Sequence, residues 1–202
     1  MVKFIKEFLK ESEWISSNLD INKISLIVKL IKECKKKNGR IFFLGVGGSA
    51  GNASHAVNDF RKIVGIEAYA PTDNVSELTA RTNDEGWSEI FVKWLETSKL
   101  NYKDMIFIFS VGGGNIKKNI SVNLIKAIKL AKKKKSKIIS IVGKKDGYAA
   151  KNSSASLVIP VKNLELLTPF SEAYQAVVWH LLVSHPDLKE TETKWESVSG
   201  KK

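Results

Sequence analysis

Hydrophobic positions along the chain follow two patterns, one with helical spacing and one of short, unbroken apolar runs. Ile21, Ile24, Ile27 and Leu30, for example, recur at the spacing of one helix face, whereas runs such as Met105–Ser110 (MIFIFS) are typical of buried strands. The patterns predict helices over Val2–Ser17, Asp20–Lys37, Ser49–Val64, Ser88–Ser98, Ile116–Lys134, Tyr148–Asn152 and Pro169–His185, and strands over Arg40–Gly45, Glu67–Ala70, Met105–Ser110, Lys137–Gly143 and Ser156–Val161.

The predicted order of elements indicates an α/β fold. Apolar runs without polar interruption suit strands that are buried on both faces of a parallel sheet. Their alternation with helices predicts a doubly wound, flavodoxin-like sandwich of five parallel strands, preceded by a helical pair. Thr168 and Pro169 suit the N-cap and first position of the last helix. With 202 residues, one domain is expected, and we assign it to residues 1–188, followed by a polar tail over 189–202.

Two glycine-rich segments resemble each other. FFLGVGGS (Phe42–Ser49) and IFSVGGGN (Ile108–Asn115) each follow a predicted strand and precede a helix, so they meet at one crevice of the sheet. Backbone amides at such turns can bind an anion. Neither a Walker lysine nor the third glycine of a dinucleotide fingerprint is present, and glycine turns also serve tight packing alone. If the crevice binds phosphate, the candidate residues are Gly47, Gly48, Ser49, Ser110, Gly112, Gly113, Gly114 and Asn115.

Acidic and histidine side chains recur on two predicted helices. His55 and Asp59 are four residues apart, so they share a helix face and can converge on one metal or substrate. Glu172 and His180 are eight residues apart, which rotates them by about 80° around the axis, so that both can face one groove. Spacing alone leaves open whether these pairs are functional or are ion pairs on a helix surface.

The formal net charge of +12 is the most unusual feature of the composition. Only Arg40, Arg61 and Arg81 among 33 basic residues are arginine, the residue that reads guanine and clamps phosphates. Lysines concentrate between Lys117 and Lys151, as expected for solvated helix faces. We therefore expect no nucleic-acid partner, although a positive surface would steer anionic substrates.

The single cysteine, Cys34, excludes an internal disulfide and fits a reducing compartment. The N-terminal segment MVKFIKEFLKESEWI mixes acidic and basic residues, so it lacks the apolar core of a signal peptide. No apolar run approaches the roughly 18 residues of a membrane span. We expect a cytoplasmic protein without a membrane partner.

Several of these residues together resemble a known family. Gly47-Gly48-Ser49, His55 six residues later, Asn83-Asp84 and the late helix with Glu172 and His180 resemble the sugar isomerase (SIS) domain family, and within it the phosphoheptose isomerase branch. The resemblance extends from about residue 2 to about residue 186.

The resemblance implies an aldose–ketose isomerase that converts sedoheptulose 7-phosphate to D-glycero-D-manno-heptose 7-phosphate, in heptose biosynthesis for lipopolysaccharide or another cell-surface polysaccharide. It also implies a homotetramer with active sites between subunits and one zinc ion per site. Carried over by position, Asp59 and His180 are the acid/base pair, and Ser49 and Ser110 bind phosphate. Asn83 and Asp84 lie near the sugar, and the implied metal ligands are His55, Asp59, Glu172 and His180.

The chain departs from the family pattern at the predicted site. The family has Glu where this chain has Asp59 and Gln where it has Glu172, and its second loop, Ser-Thr-Ser-Gly-Asn-Ser, is Ser110-Val111-Gly112-Gly113-Gly114-Asn115 here. The first loop has Val46 in place of the usual Asn. The departures indicate a divergent subgroup. Two alternatives stay open: an isomerase of a different sugar phosphate, and a non-catalytic SIS module that binds a sugar phosphate or a protein partner.

Overall fold

Five parallel strands form one sheet in the computed structural model, which describes residues 2–191. The strands are β1 (Ile41–Leu44), β2 (Ala68–Tyr69), β3 (Met105–Ser110), β4 (Lys137–Val142) and β5 (Ala155–Val158). The strand order is β2-β1-β3-β4-β5, which is the flavodoxin-like order of a doubly wound sheet. The predicted fold class is therefore confirmed.

Helices cover both faces of this sheet. The helices are α1 (Val2–Ser17), α2 (Ile21–Lys36), α3 (Gly48–Asp59), α4 (Val75–Asp84), α5 (Ile90–Thr97), α6 (Val122–Lys133), α7 (Tyr148–Asn152) and α8 (Leu167–Ser184). Buried side chains from α1, α2, α3 and α8 pack on one face, and those from α5, α6 and α7 pack on the other.

The side chains of the central strands alternate strictly between the two cores. Phe43 and Phe107 point to the core with α3 and α8, whereas Phe42 and Ile106 point to the core with α5 and α6. This is the period of two that a strand imposes. Every residue of β1 and β3 is buried, which explains the unbroken apolar runs in the sequence. The edge strand β5 alternates between buried and half-buried positions instead.

The segment after β3 differs from its prediction. Helix α6 begins at Val122, not at Ile116, because the preceding residues form a small hairpin. Asn115 and Ile120 exchange two backbone hydrogen bonds of 2.9 and 3.0 Å. Asn119 and Ser121 have φ angles of 53° and 50°, which a right-handed helix does not contain. This segment, residues 115–121, is called the β3 hairpin below.

Other helices also differ from the predictions, and α5 begins at Ile90, two residues after its predicted start. Helix α3 ends at Asp59, and a π-helical turn over Phe60–Val64 follows, so the predicted helix over Ser49–Val64 has two parts. Helix α8 begins at Leu167, two residues before Pro169, whose missing N–H falls among the first four that have no intrahelical partner. Helix α4 was not predicted. It buries no residue, so its sequence lacks the apolar stripe that periodicity detects.

The described part of the polar tail, Lys189–Thr191, lies along the end of the π-helical turn. The backbone N–H of Glu190 donates to the carbonyl of Ile63 at 3.0 Å. The rest of the predicted tail, residues 192–202, lies outside the described residues, and the domain boundary after residue 188 stays a prediction. Across residues 2–191, the structure contains no helix that is both long and apolar enough to cross a membrane.

Cys34 is buried on α2, where its Sγ lies 3.4 Å from the carbonyl oxygen of Lys103. Burial, with a smaller contribution from the negative charge of Asp104, raises the pKa of this thiol from 9.0 to about 12. Because the thiolate is the nucleophile, we expect native protein at pH 8 to react with Ellman's reagent at least about tenfold more slowly than protein unfolded in guanidinium chloride. Equal rates in the two samples would contradict the buried, protonated thiol.

Candidate active site

Helices α3 and α8 lie side by side and bring two histidines and a carboxylate together. The Oδ2 atom of Asp59 is 3.7 Å from Nε2 of His55 and 3.5 Å from Nε2 of His180. The imidazole rings of the two histidines are perpendicular, with their centroids 5.5 Å apart. The structure thus brings together three of the residues that the sequence predicted as a site.

Small side chains allow the two helices to approach. Ala53 and Ala56 of α3 are fully buried, on the side of the helix that faces the core. One turn earlier, the Asn52 amide donates to the backbone carbonyl of Glu172 and to Oε1 of Gln175, each at 2.9 Å. This polar contact fixes the register of α3 against α8, so that His55 and Asp59 face His180.

A backbone contact sets the orientation of the His180 ring. Its Nδ1 lies 2.8 Å from the carbonyl oxygen of Ala176, and because a carbonyl only accepts, Nδ1 carries the proton. Nε2 is then the unprotonated nitrogen in the neutral ring, and it faces Asp59. Such a carbonyl contact is typical of histidines that bind metals, because it fixes the tautomer and the ring orientation.

The three side chains have the chemistry of a zinc site. The two imidazole nitrogens and the carboxylate oxygen all lie within 4.8 Å of one another. Zinc binds such atoms at about 2.0–2.1 Å in a tetrahedron, which places neighbouring ligand atoms about 3.3 Å apart. The distances of 3.5 and 3.7 Å from Asp59 to the histidines are close to this requirement. His55, Asp59 and His180 could therefore hold the ion.

Two hydrogen-bond donors hold the Asp59 carboxylate. Asn58 Nδ2 donates to its Oδ1 at 3.0 Å, and the indole nitrogen of Trp179 donates to its Oδ2 at 3.1 Å. Asp59 is only 7% exposed, and a buried charge without hydrogen bonds would be costly. Each carboxylate oxygen thus has one donor within the protein, and Oδ2 also faces both histidines.

Glu172 lies elsewhere on α8 than the predicted metal site requires. Its carboxylate packs against Gly48 at the start of α3, so closely that a Cβ atom on Gly48 would overlap it. The eight residues between Glu172 and His180 amount to about 12 Å along a helix axis. The metal-ligand group contains His55, Asp59 and His180 without Glu172, because the predicted rotation around the helix ignored this axial distance.

The first glycine loop has a geometry that only glycine adopts easily. Gly47 has φ 65° at the N-cap of α3, in the left-handed region. Ser49, the predicted phosphate ligand, is only 2% exposed. The Glu172 carboxylate occupies the neighbourhood of the positive end of α3, where a helix dipole favours negative charge. This end of α3 therefore already has an anionic neighbour from α8.

The second glycine loop uses its predicted polar groups within itself. The Oγ atom of Ser110 accepts a hydrogen bond from the Gly113 amide, and Oδ1 of Asn115 accepts one from the Lys118 amide, both at 3.0 Å. Gly114 has φ 85°, and a Cβ there would lie 2.9 Å from Ile125. Beside this loop is a pocket of about 140 Å³ lined by Gly112, Gly114, Asn115, Lys118, Ile120, Lys144, Asp146 and Gly147.

Asn83 and Asp84, predicted near the sugar, lie at the C-terminal end of the exposed helix α4. The Asn83 amide donates to Oδ1 of Asp84 at 2.8 Å. Their role toward a sugar stays a prediction.

Three residues of the site region were not predicted from the sequence. Trp179 is adjacent to His180 in the sequence, but a tryptophan beside a histidine gives no spacing signal of its own. Lys118 and Lys144 line the pocket at the second loop, and their surroundings depend on the unpredicted β3 hairpin. The glycines and asparagines of Gly112–Asn119 were the available signal, since they favour turns over helix.

Comparison with known proteins identifies the family. The family model described as the SIS domain matches residues 4–143. The chain belongs to the SIS domain family. It is similar to the phosphoheptose isomerase of Sulfurimonas denitrificans, with 31% identity over 192 residues that cover 90% of this chain and 93% of that protein. It is also similar to the lincomycin biosynthesis protein LmbN of Streptomyces lincolnensis, with 26% identity over 91% of this chain and 69% of that protein.

A solved structure shows the same SIS fold. The phosphoheptose isomerase of Neisseria gonorrhoeae superposes with a TM-score of 0.74 and 23% identity, covering 90% of this chain and 94% of that one. The family model and the relative with 31% identity confirm the predicted family and the predicted class of enzyme, an aldose–ketose isomerase.

Proposed function

We propose that this SIS protein converts sedoheptulose 7-phosphate to D-glycero-D-manno-heptose 7-phosphate, and that His55, Asp59 and His180 form its reaction centre. The observation that carries the proposal is the convergence of the three side chains on one point between α3 and α8. Ketose–aldose conversion moves a proton between C1 and C2 through an enediol. It requires a base at carbon, an acid or base at the oxygens, and stabilisation of the negative charge that develops there.

Asp59 supplies the base in this proposal. Its two carboxylate oxygens have different surroundings, since Oδ2 faces both histidines and the buried Trp179 whereas Oδ1 lies beside the exposed Asn58. Oδ1 is therefore the oxygen that takes the proton from C1 and returns it to C2. His180 moves protons at the sugar oxygens, and its Nδ1 contact with Ala176 keeps Nε2 directed into the site.

The donor set supports a zinc ion at His55, Asp59 and His180. Bound there, zinc would occupy Nε2 of His180 and would act in its place on the sugar oxygens, as a Lewis acid without redox chemistry. Both imidazoles are on one side of the Asp59 carboxylate, so the same three residues hold the ion and define where C1 and C2 of the sugar must lie. In this proposal Glu172, which packs against Gly48 at the opposite end of the α3–α8 contact, accepts hydrogen bonds from sugar hydroxyls.

We assign the phosphate end of the substrate to the pocket beside the second glycine loop. The side-chain oxygens of Ser110 and Asn115 already accept bonds within the loop, so these two residues offer a ligand only the Ser110 hydroxyl proton and the Asn115 amide N–H groups. Lys118 and Lys144 line that pocket together with a single acidic residue, Asp146, which leaves it with an excess of positive charge. The two ammonium groups would replace the hydroxyls that this loop lacks.

Removing both ammonium groups is expected to weaken substrate binding. A hydrogen bond to a charged group contributes about 1.5–3 kcal/mol, so losing two of them in Lys118→Ala with Lys144→Ala should raise KM at least about a hundredfold. kcat should change less than about threefold, because the phosphate is bound equally in ground and transition states. Steady-state kinetics measure both constants. Lys129→Ala with Lys133→Ala on α6 removes the same charge elsewhere and should leave KM unchanged; equal effects of the two double variants would contradict the assignment.

We also propose a homotetramer with active sites between subunits. Val177 and Leu181 flank His180 on α8 and are 48% and 38% exposed, and α1 exposes Phe4 and Leu9 as well. Apolar surface of this kind beside a reaction centre supports contact with a neighbouring subunit. Light scattering should give a mass about four times that of the 22.5 kDa chain. A mass of one chain at micromolar concentration would contradict this assembly.

A different sugar phosphate is the second candidate substrate. The observation that favours it is the second glycine loop, whose hydroxyls are reduced to Ser110 and which continues into a hairpin that carries Lys118. A panel of ketose phosphates with five to seven carbons, incubated with the protein with and without zinc, separates the candidates. Sedoheptulose 7-phosphate should give the highest kcat/KM. A higher kcat/KM for a shorter sugar phosphate would identify that sugar phosphate as the substrate instead.

A further inference from the structure

Trp179 is a buried side chain next to the three residues of the reaction centre. It is 2% exposed, and its indole nitrogen donates to Oδ2 of Asp59 at 3.1 Å. Its ring centroid is 5.2 Å from that of His55 and 4.8 Å from that of His180. One buried side chain therefore contacts all three members of the group.

The two donors to Asp59 differ in their surroundings. Asn58 is exposed, so water can replace its amide at Oδ1. Trp179 is buried, so its N–H bond to the charged Oδ2 lies where the effective dielectric constant is low and no water can substitute for it. The indole occupies one lone pair of Oδ2 and leaves another toward His55 and His180.

An aromatic ring at position 179 is required for packing, whereas the indole nitrogen is not. The ring centroid of Phe109 lies 5.9 Å from that of the indole, and Trp179 belongs to the apolar core between α3, α8 and the sheet. A phenylalanine would keep most of these contacts. The N–H group is the only polar part of the side chain, and it is directed at the one carboxylate of the reaction centre.

We propose that Trp179 is a positioning residue that fixes the Asp59 carboxylate, through its indole N–H, in the orientation that binds zinc with His55 and His180. The inference rests on the proposed function, in which these three residues hold the ion. Removing a residue that hydrogen-bonds to a metal ligand typically lowers metal affinity by about ten- to a hundredfold. The contribution of Trp179 should therefore appear in zinc affinity itself, independently of turnover.

The test is the zinc dissociation constant of the full chain, measured by competition with a chromophoric chelator. Trp179→Phe should raise it about ten- to a hundredfold. Asn58→Ala, which removes the exposed donor to the same carboxylate, should change it less than about threefold, and so should Trp94→Phe, which alters a tryptophan that packs on Phe42 in the other core. A Trp179→Phe protein that is folded and binds zinc within threefold of the wild type would overturn the proposal.

A second comparison separates positioning from general packing. In an Asp59→Ala background, Trp179→Phe should leave the residual zinc affinity unchanged, because the indole acts only through that carboxylate; a further tenfold loss there would overturn the proposal. If Trp179→Phe does not fold, benzothienylalanine at position 179 keeps the ring size and removes only the N–H, and the same two thresholds apply. A wild-type protein that binds no zinc overturns the metal site of the proposed function, and the inference with it, whereas normal zinc binding by Trp179→Phe overturns the inference alone.

Discussion

Asp59→Asn and His180→Gln should each lower kcat for sedoheptulose 7-phosphate by about 10²–10⁴-fold, the usual contribution of a positioned acid or base. Asparagine keeps the size of the Asp59 side chain but cannot take a proton from carbon. Glutamine in place of His180 keeps a polar side chain on α8 but cannot exchange protons with the sugar oxygens near neutral pH. The geometry leads us to expect large effects from both, because Nε2 of His180 lies 3.5 Å from Oδ2 of the same Asp59 carboxylate.

The control for this pair is on the same helix. His185→Gln makes the same chemical change at the end of α8, where the ring accepts a hydrogen bond from the Asp187 amide, and it should leave kcat within about twofold. Steady-state assays on variants with wild-type circular dichroism measure the three effects. Near-normal turnover in both Asp59→Asn and His180→Gln would show that the reaction centre does not lie at these residues.

Asp104→Ala is the substitution with the largest expected effect on stability. Asp104 is 2% exposed and lies at the opposite edge of the sheet from the glycine loops. Its carboxylate accepts from the backbone and guanidinium of Arg40, at 2.8–3.1 Å, and from the backbone and side chain of Asn101. Removing one partner of a buried ion pair costs about 3–5 kcal/mol, and the free energy of unfolding should fall by that amount.

A surface ion pair provides the comparison for Asp104. Glu96 lies 3.7 Å from Lys93, and both side chains are about half exposed. Such pairs contribute little, so Glu96→Ala should change the free energy of unfolding by less than about 1 kcal/mol. Urea denaturation followed by circular dichroism measures both variants. A loss below about 1 kcal/mol for Asp104→Ala would show that the Arg40 contact is not the stabilising link between the starts of β1 and β3.

Periodicity in the sequence predicted those elements whose burial is one-sided or complete. The bounds of α1, β3 and α7 match the structure residue for residue, and the alternation of helices and strands predicted the parallel sheet. Helix α4 escaped prediction because it buries no residue. The start of α6 was wrong because Asn115 pairs with Ile120, a contact between backbone groups that leaves no hydrophobic pattern.

The sequence predicted those parts of the candidate site whose relative positions follow from the geometry of a single helix. The four-residue spacing of His55 and Asp59 placed both on one face, and the structure adds His180 from α8. Glu172 could not be placed by rotation alone, since the axial rise of α8 carries it to Gly48. Trp179 was not predictable as a donor to Asp59, because the hydrogen bond depends on the packing of α3 against α8.

The central claim is that Asp59 transfers a proton between C1 and C2 of sedoheptulose 7-phosphate. NMR spectroscopy of the reaction in D₂O tests it most directly, because a base that takes a proton from C1 can exchange it with solvent before C2 is protonated. Wild-type protein should produce the heptose 7-phosphate with deuterium at C2, and Asp59→Asn should produce almost none of it in the same time. An Asp59→Asn protein that forms the aldose at the wild-type rate, or no aldose product from the wild-type protein, would contradict the account.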